Sequence, residues 1–162
     1  MRFYQNGEAL MFIAGGCACQ SVRYECAEEP IVQLICHCRD CQRASGSAFA
    51  AVMMVAADKF RFLNEEPAYH EVIGGSGRRL RRGFCAKCGS PVTLHWPEIT
   101  AVQMLQVGSL DDPSCFEPQT ELWLSRGYPW HSVNPSTLKF EGRPIPGVKD
   151  RLDAYFASRA TP

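Results

Sequence analysis

The spacing of its nine cysteines constrains this chain of 162 residues more than any other feature. Cysteines one or two residues apart rarely form a structural disulfide with each other, because the closed ring is strained. The same spacings are common where thiolates clamp a metal ion, so the sequence predicts bound zinc rather than a disulfide framework. Seven cysteines lie in such clusters: Cys17 and Cys19; Cys36, Cys38 and Cys41; and Cys85 and Cys88.

Two of the clusters fit one closed metal site. Structural zinc takes four ligands in a tetrahedron, and four thiolates complete it. Gly15-Gly16 precedes the first pair, and Gly89 follows the last. Glycine permits the unusual backbone angles of a tight bend around a metal. The pattern therefore predicts a structural zinc site with these ligands: Cys17, Cys19, Cys85 and Cys88.

The middle cluster predicts a different kind of site. Cys36, Cys38 and Cys41 supply three thiolates, and three protein ligands leave one zinc position open, as in catalytic sites. If residues 36–38 are extended, His37 points away from the ion. We expect His37 to be solvated or to support the ligands from behind. The three cysteines are therefore the candidate catalytic residues.

Charge and ligand type favour thiol chemistry at the open site. Three thiolates donate much charge to zinc, which makes the ion a weak Lewis acid that prefers soft ligands. A thiol that binds there loses its proton more easily, because the metal stabilises the thiolate. The predicted chemistry is activation of a thiol rather than of water.

The charge balance and apolar content argue against several partners. Lysines plus arginines number 17, as do aspartates plus glutamates, so binding mainly to nucleic acid is disfavoured. No apolar run approaches the roughly 20 residues that a membrane-spanning helix needs. Residues 1–16 also lack the features of an export signal. We expect a cytoplasmic protein without a membrane partner.

Short strands separated by turns dominate the remaining pattern. The run at 48–55 is apolar almost throughout, which is typical of a strand buried on both faces. Helical turns are expected at 41–45, ended by Gly46, and at 57–63. Strands are predicted at 21–24, 31–35, 48–55, 68–73, 79–84, 92–95, 101–107 and 121–124. We therefore expect a mainly β fold with short helical turns.

The C-terminal part is expected to form an extension. An apolar stripe at i, i+4, i+7 and i+8 predicts a helix over 148–158. The prolines before it favour an extended segment that wraps over the core; they are Pro129, Pro135, Pro144 and Pro146. We expect one zinc domain over residues 1–162, with a core at about 11–130 and an extension at 131–162 that ends in one helix.

Several motifs together resemble one known family. They are GGCAC at 15–19 with VRY at 22–24, CHCRDC at 36–41 with SGSAF at 45–49, FCAKCGSP at 84–91, GSLDDP at 108–113, and the stretch 123–130. In this order they resemble the glutathione-dependent formaldehyde-activating enzymes, the GFA or CENP-V/GFA domain family. One departure is Glu121, near which family members often carry histidine.

The resemblance implies an Mss4-like fold with two zinc sites divided as the spacing predicts. It also implies a carbon–sulfur lyase that joins formaldehyde to glutathione, giving S-hydroxymethylglutathione, or catalyses the reverse reaction. The carboxylates of glutathione need donors, and several arginines lie near the cysteine clusters. On a strand, Arg79 and Arg81 share one face, while Leu80 and Arg82 share the other. The candidate ligand-binding residues are Arg39, Ser45, Gly46, Arg79 and Arg81.

Two alternative functions remain open. A non-catalytic scaffold of Mss4-like fold also needs structural zinc, but it needs no open site that responds to thiols. A thiol redox protein is a weaker alternative, because the Cys38 and Cys41 pair lacks the strand-to-long-helix setting of thioredoxin-like motifs. The isolated Cys26 and Cys115 are interpreted as ordinary half-buried side chains.

Overall fold

Apolar stretches of the sequence become the strands of a mainly β fold. The computed structural model describes residues 2–5, 8–75, 77–143 and 147–159. Within these ranges the helices are α1 Arg39–Ser45 and α2 Gly147–Arg159, and neither is long and apolar enough to cross a bilayer. The strands in the same ranges are β1 Arg2–Gln5, β2 Glu8–Met11, β3 Ile13–Gly16, β4 Arg23–Cys26, β5 Val32–Cys36, β6 Ala50–Ala56, β7 Phe60–Phe62, β8 Ala68–Ile73, β9 Arg79–Phe84, β10 Pro91–His95, β11 Val102–Gln106, β12 Thr120–Leu122 and β13 Leu138–Phe140.

One large sheet carries most of the strands. Its order is β13-β12-β5-β6-β11-β10-β9-β8. β5 pairs antiparallel with β6, which sets Cys36 opposite Ala50, and pairs parallel with β12 on its other side. All but one residue of the central strand β6 is buried, as its apolar run predicts. This sheet brings Cys36 to the end of a central strand.

Different partners cover the two faces of the large sheet. The three-stranded sheet β3-β4-β7 covers one face and buries Tyr24 against Met53 and Leu105. The other face holds an apolar cluster that includes Cys36 and Cys41 and against which α2 packs. Because side chains alternate along a strand, the two faces of β6 belong to different cores.

Segment 57–63 differs from its predicted helical turn. Only Ala57–Lys59 is helical, as one 3₁₀ turn, and the next residues form β7, which pairs with β4. Phe60 and Phe62 pack against the buried core. The short helical interpretation was wrong because strand pairing packs both half-buried aromatic rings against the core, and burial of aromatic surface is stabilising.

The predicted extension contributes directly to the main sheet. β13 pairs parallel with β12 at its edge, and α2 forms where the apolar stripe predicts a helix. Val148 and Leu152 of that stripe pack against the apolar cluster on the sheet. Pro144 and Pro146 lie outside the described residues. Residues after 131 thus cover the same sheet that carries Cys36.

Candidate metal centres

Two tight turns present the four sulfurs of the first centre. In the turn after β3, the Cys17 N–H donates to the Val22 carbonyl at 3.0 Å, and the Val22 N–H donates to Cys17 Sγ at 3.3 Å. In the turn after β9, the Cys85 N–H donates to Ser90 O at 2.9 Å. Gly89 has a φ of 74°, which only glycine adopts without strain. The first turn therefore holds the Cys17 sulfur against a backbone amide, and backbone hydrogen bonds close the second turn around Cys85.

The four sulfurs lie within 4.8 Å of one another. Cys17 Sγ is 3.5 Å from Cys19 Sγ, which is 3.7 Å from Cys85 Sγ. A tetrahedral zinc ion with Zn–S bonds of about 2.3 Å sets its sulfurs about 3.8 Å apart. Distances and donor set therefore fit zinc with four ligands: Cys17, Cys19, Cys85 and Cys88. Because that set leaves no open position, the centre suits a structural role.

Gly15 serves close packing rather than an unusual backbone angle. Neither Gly15 nor Gly16 has a positive φ, so the expectation of special angles holds at Gly89 but is wrong at these two glycines. A Cβ on Gly15 would lie 2.3 Å from the Ser109 carbonyl oxygen and 2.4 Å from Tyr24 Oη. Tyr24 Oη in turn bonds Ser109 Oγ at 2.7 Å. These contacts bring three separate sequence motifs together beside the first centre.

The second centre forms where β5 meets α1. Cys38 caps α1, and its Sγ accepts a hydrogen bond from the Cys41 N–H at 3.4 Å. The sulfurs of Cys36, Cys38 and Cys41 lie within 4.8 Å of one another, and no fourth His, Cys, Asp or Glu of the described residues joins them. Cys36 and Cys41 are each 8% exposed, whereas Cys38 is more open. The accessible side of this centre therefore lies at Cys38.

Hydrogen bonds among the three sulfurs of the second centre shift the pKa values of the three thiols in different directions. The pKa of Cys38 is lowered, because Cys36, Cys41 and backbone N–H groups donate to its sulfur. The pKa of Cys36 is raised by its hydrogen bonds to the other two sulfurs and by burial. The bond from Cys36 lowers the pKa of Cys41, but the bond to Cys38 and burial outweigh it and raise that pKa to about 11. A metal that binds here therefore displaces protons from Cys36 and Cys41.

A buried histidine and glutamate hold the chain between the ligands. His37 and Glu121 are both 0% exposed, so His37 is not the solvated side chain that was one expectation. His37 Nε2 donates to Glu121 Oε2 at 2.9 Å, and the His37 N–H donates to Leu122 O at 2.9 Å. Glu121 Oε1 accepts from the Asn134 N–H at 2.8 Å and from Thr137 Oγ1 at 3.0 Å. The pair ties the loop between Cys36 and Cys38 to β12.

A comparison with models of protein families identifies the family of this chain. The model of the glutathione-dependent formaldehyde-activating enzyme family, GFA, matches residues 12–126. The chain belongs to this family. The matched segment contains all seven clustered cysteines and Glu121 and ends before β13.

Other comparisons are more distant. The crystal structure of a Rhodobacter sphaeroides protein is similar to this chain with a TM-score of 0.48 and 17% sequence identity. The match covers 80% of this chain and 99% of that protein. Among curated proteins, none matches the sequence significantly. Membership of the GFA family therefore rests on the family model.

Two of the arginines selected from the sequence lie away from the second centre of this GFA domain. Arg79 donates to Glu98 at 2.7 Å, and Arg81 donates to Glu71 at 3.0 Å. Both side chains lie on the face of β9 opposite Leu80, which packs against the cluster that contains Cys36 and Cys41. The fold therefore does not bring Arg79 and Arg81 to the three cysteines.

The other selected residues lie on and after α1. Arg39 donates to Gln42 Oε1 at 2.7 Å, and its guanidinium is 5.8 Å from the centroid of the Tyr128 ring. Ser45 Oγ donates to Phe49 O at 2.8 Å, and Gly46 ends α1 in the left-handed conformation. Arg39 and Gly46 line a cavity of about 560 Å³ together with Tyr128 and Trp130. Ser45 and Gly46 thus shape the turn that follows the cysteine ligands.

Arg82 was not among the candidate ligand-binding residues predicted from the sequence. It pairs across the strands with Leu94, which is buried in one cluster with Cys36 and Cys41. Paired residues on neighbouring strands point to the same side of a sheet. The available signal was its alternation with Leu80, because an apolar residue marks the inner face of a strand.

Proposed function

We propose that this GFA protein is a zinc-dependent carbon–sulfur lyase that joins glutathione, or a similar thiol, to formaldehyde or another small aldehyde. The observation that supports the proposal most directly is the three-sulfur centre, which gathers Cys36, Cys38 and Cys41 without a fourth ligand from the described residues. The family name describes this reaction. A structural role alone does not explain a second centre with an incomplete ligand set.

The donor set suits thiol activation. Zinc held by three thiolates stabilises the ionised form of a thiol that takes the fourth position. Cys36 and Cys41 form the buried wall of the centre, and the more open Cys38 gives access. The hydrogen bond between His37 and Glu121 fixes the backbone that carries Cys36 and Cys38. The chain thereby holds the ligands in place before the thiol binds, which lowers the entropic cost of reaction.

The reaction balances without a further reactant. The ionised sulfur attacks the carbonyl carbon, a carbon–sulfur bond forms, and the electron pair of the carbonyl π bond moves to oxygen. The proton released by the thiol ends on that oxygen, giving a hydroxymethyl thioether. In the reverse direction the hydroxyl loses its proton and the carbon–sulfur bond breaks. The contribution of the protein is to ionise the thiol and to place it beside the aldehyde.

The proposal includes a reducing location and small-molecule partners. All nine cysteines are free thiols in the structure, and cysteine ligands must stay reduced to bind zinc. Reduced thiols persist in the cytoplasm, which we propose as the location of this protein. Glutathione or a related thiol and a small aldehyde are the proposed partners.

Exchange measurements by NMR test the proposed reaction. Zinc-loaded protein is added to glutathione and formaldehyde, and the exchange rate between glutathione and its adduct is compared with the rate without protein, since thiols add to formaldehyde unaided. We expect faster exchange with the wild type and with Cys115→Ser, which removes a thiol outside both centres. Cys38→Ser should lower the rate to the background. Equal rates for the wild type and Cys38→Ser would contradict the proposal.

A further inference from the structure

The half-buried side chain of Arg82 has one buried nitrogen without a partner among the described residues. Its Nη1 atom is buried and makes no hydrogen bond, and no carboxylate of the described residues forms an ion pair with it. Arg79 and Arg81 on the same strand are both paired with glutamates. An unpaired buried donor is costly, more so when charged, and native proteins rarely leave one unsatisfied. This exception calls for a partner from outside the chain.

The position of Arg82 points to the second centre. Its register partner Leu94 is 3% exposed and belongs to the cluster that contains Cys36 and Cys41. Arg82 therefore lies on the same side of the sheet as the apolar cluster that holds these two cysteine ligands.

The surroundings of Arg82 strengthen its effect on an anion. Leu80, Trp96 and Trp123 pack against the same cluster, so this side of the sheet has apolar walls. Hydrogen bonds between a guanidinium and a carboxylate are charge-assisted and bidentate, and a low local dielectric makes them stronger than in water. A centre with three thiolates is itself negative, so an acidic ligand needs a nearby cation.

We propose that Arg82 binds a carboxylate of the thiol whose sulfur enters the second centre, so that the site selects thiols that carry a carboxylate. The proposal rests on the thiol site proposed above and specifies its substrate class. It also explains why an arginine occupies a strand position next to buried Leu94. The two contacts, sulfur at the cysteines and carboxylate at Arg82, fix the orientation of the ligand.

Titration calorimetry with a matched pair of thiols tests this assignment. The probes are 3-mercaptopropionate and its methyl ester, which share a thiol and a chain length but differ in charge. We expect zinc-loaded wild type to bind the acid about tenfold to a hundredfold more tightly than the ester. Arg82→Gln should remove that preference and leave ester binding unchanged, and Arg82→Lys should retain part of it. Arg61→Gln, an exposed arginine on β7, is the matched control and should keep the preference.

The outcomes separate the two proposals. Equal binding of acid and ester by the wild type would refute the role of Arg82 without contradicting the thiol site. This comparison uses only the wild type, so it does not depend on whether a variant folds. If neither probe binds, the thiol site is absent and both proposals fail. If Arg81→Gln loses the preference while Arg82→Gln keeps it, the carboxylate binds on the opposite face of β9 and the assignment is wrong.

Discussion

At the scale of single residues, the hydrogen bond between His37 and Glu121 has a clear electrostatic cause. Burial raises the pKa of Glu121, but hydrogen bonds from His37, the Asn134 N–H and Thr137 outweigh it, so the pKa is lowered overall. The carboxylate is therefore ionised at neutral pH and accepts from His37 Nε2. Because His37 lies between two ligands of the second centre, this single pair links the centre to β12.

Replacing Glu121 tests this pair. Glu121→Gln removes the charge but keeps the shape, and we expect the free energy of unfolding to fall by about 3–5 kcal/mol at pH 7, because one of the two acceptor oxygens becomes an NH2 group that cannot accept from the buried donors. A lowered folded-state pKa contributes stability above the unfolded pKa of about 4.3 and loses it as the pH falls through the folded value. The deficit of the variant should therefore shrink in acid.

Urea unfolding at several pH values measures this difference. Glu117→Gln is the control, because Glu117 is exposed and its loss should change stability by less than about 0.5 kcal/mol. A Glu121→Gln protein as stable as this control at pH 7 would show that the pair does not hold the loop.

Gly15 provides a second prediction at the residue scale. Gly15→Ala places a Cβ 2.3 Å from a backbone carbonyl, so the chain must shift, and we expect a loss of about 1–3 kcal/mol. Gly108→Ala is the matched control, because a Cβ there meets nothing within 4 Å. Urea unfolding compares the two, and equal stability of both variants would rule out the close packing inferred at Gly15.

At the scale of elements, the two metal centres are built differently. The first joins two turns, after β3 and after β9, that lie 66 residues apart between Cys19 and Cys85. The second lies within one local segment, from the end of β5 to the first turn of α1. Metal at the first centre therefore links distant parts of the chain, while metal at the second reinforces a turn that backbone hydrogen bonds already form.

This difference predicts opposite effects of ligand loss. Cys88→Ser should release the first zinc and unfold or aggregate the chain, because metal binding there is coupled to folding. Cys41→Ser should release only the second zinc and leave the strands intact. Circular dichroism with metal analysis measures both, and a folded Cys88→Ser protein with unchanged melting would contradict the structural role of the first centre.

The polarised sulfurs predict a pH dependence for the second centre. Because the pKa of Cys36 is raised and that of Cys41 is about 11, both thiols hold protons at neutral pH when no metal is bound. Zinc must displace about two protons there, so its affinity should rise with pH. Calorimetry in buffers of different ionisation enthalpy counts these protons, and release of none would contradict the polarisation of the sulfurs.

At the scale of the whole molecule, one sheet serves both centres. The first centre lies on the side of the three-stranded sheet, where Cys17 and Cys85 join its core. The second lies on the side of the helices, where Cys36 and Cys41 join the other core. A single layer of strands thus separates the centre proposed for stability from the centre proposed for chemistry.

Metal content distinguishes the enzyme from the scaffold alternative. Protein purified without chelator should contain two zinc ions per chain, and glutathione should displace or perturb only the one held by the three cysteines. Metal analysis before and after dialysis against glutathione measures this. One zinc ion per chain and no response to glutathione would favour a non-catalytic, zinc-stabilised scaffold.

Sequence by itself determined that the seven sulfurs divide into a group of four and a group of three. It also determined the positions of most of the strands and of the C-terminal helix. Ligand spacing and apolar periodicity are local properties, so they can be interpreted without knowing which strands are neighbours. Only the tertiary structure decided that Glu121 holds His37 across 84 residues and that the apolar face of β9, which Arg82 shares with Leu80, lies on the side of Cys36. Both depend on strand order and register, which packing of the whole sheet sets and no local pattern encodes.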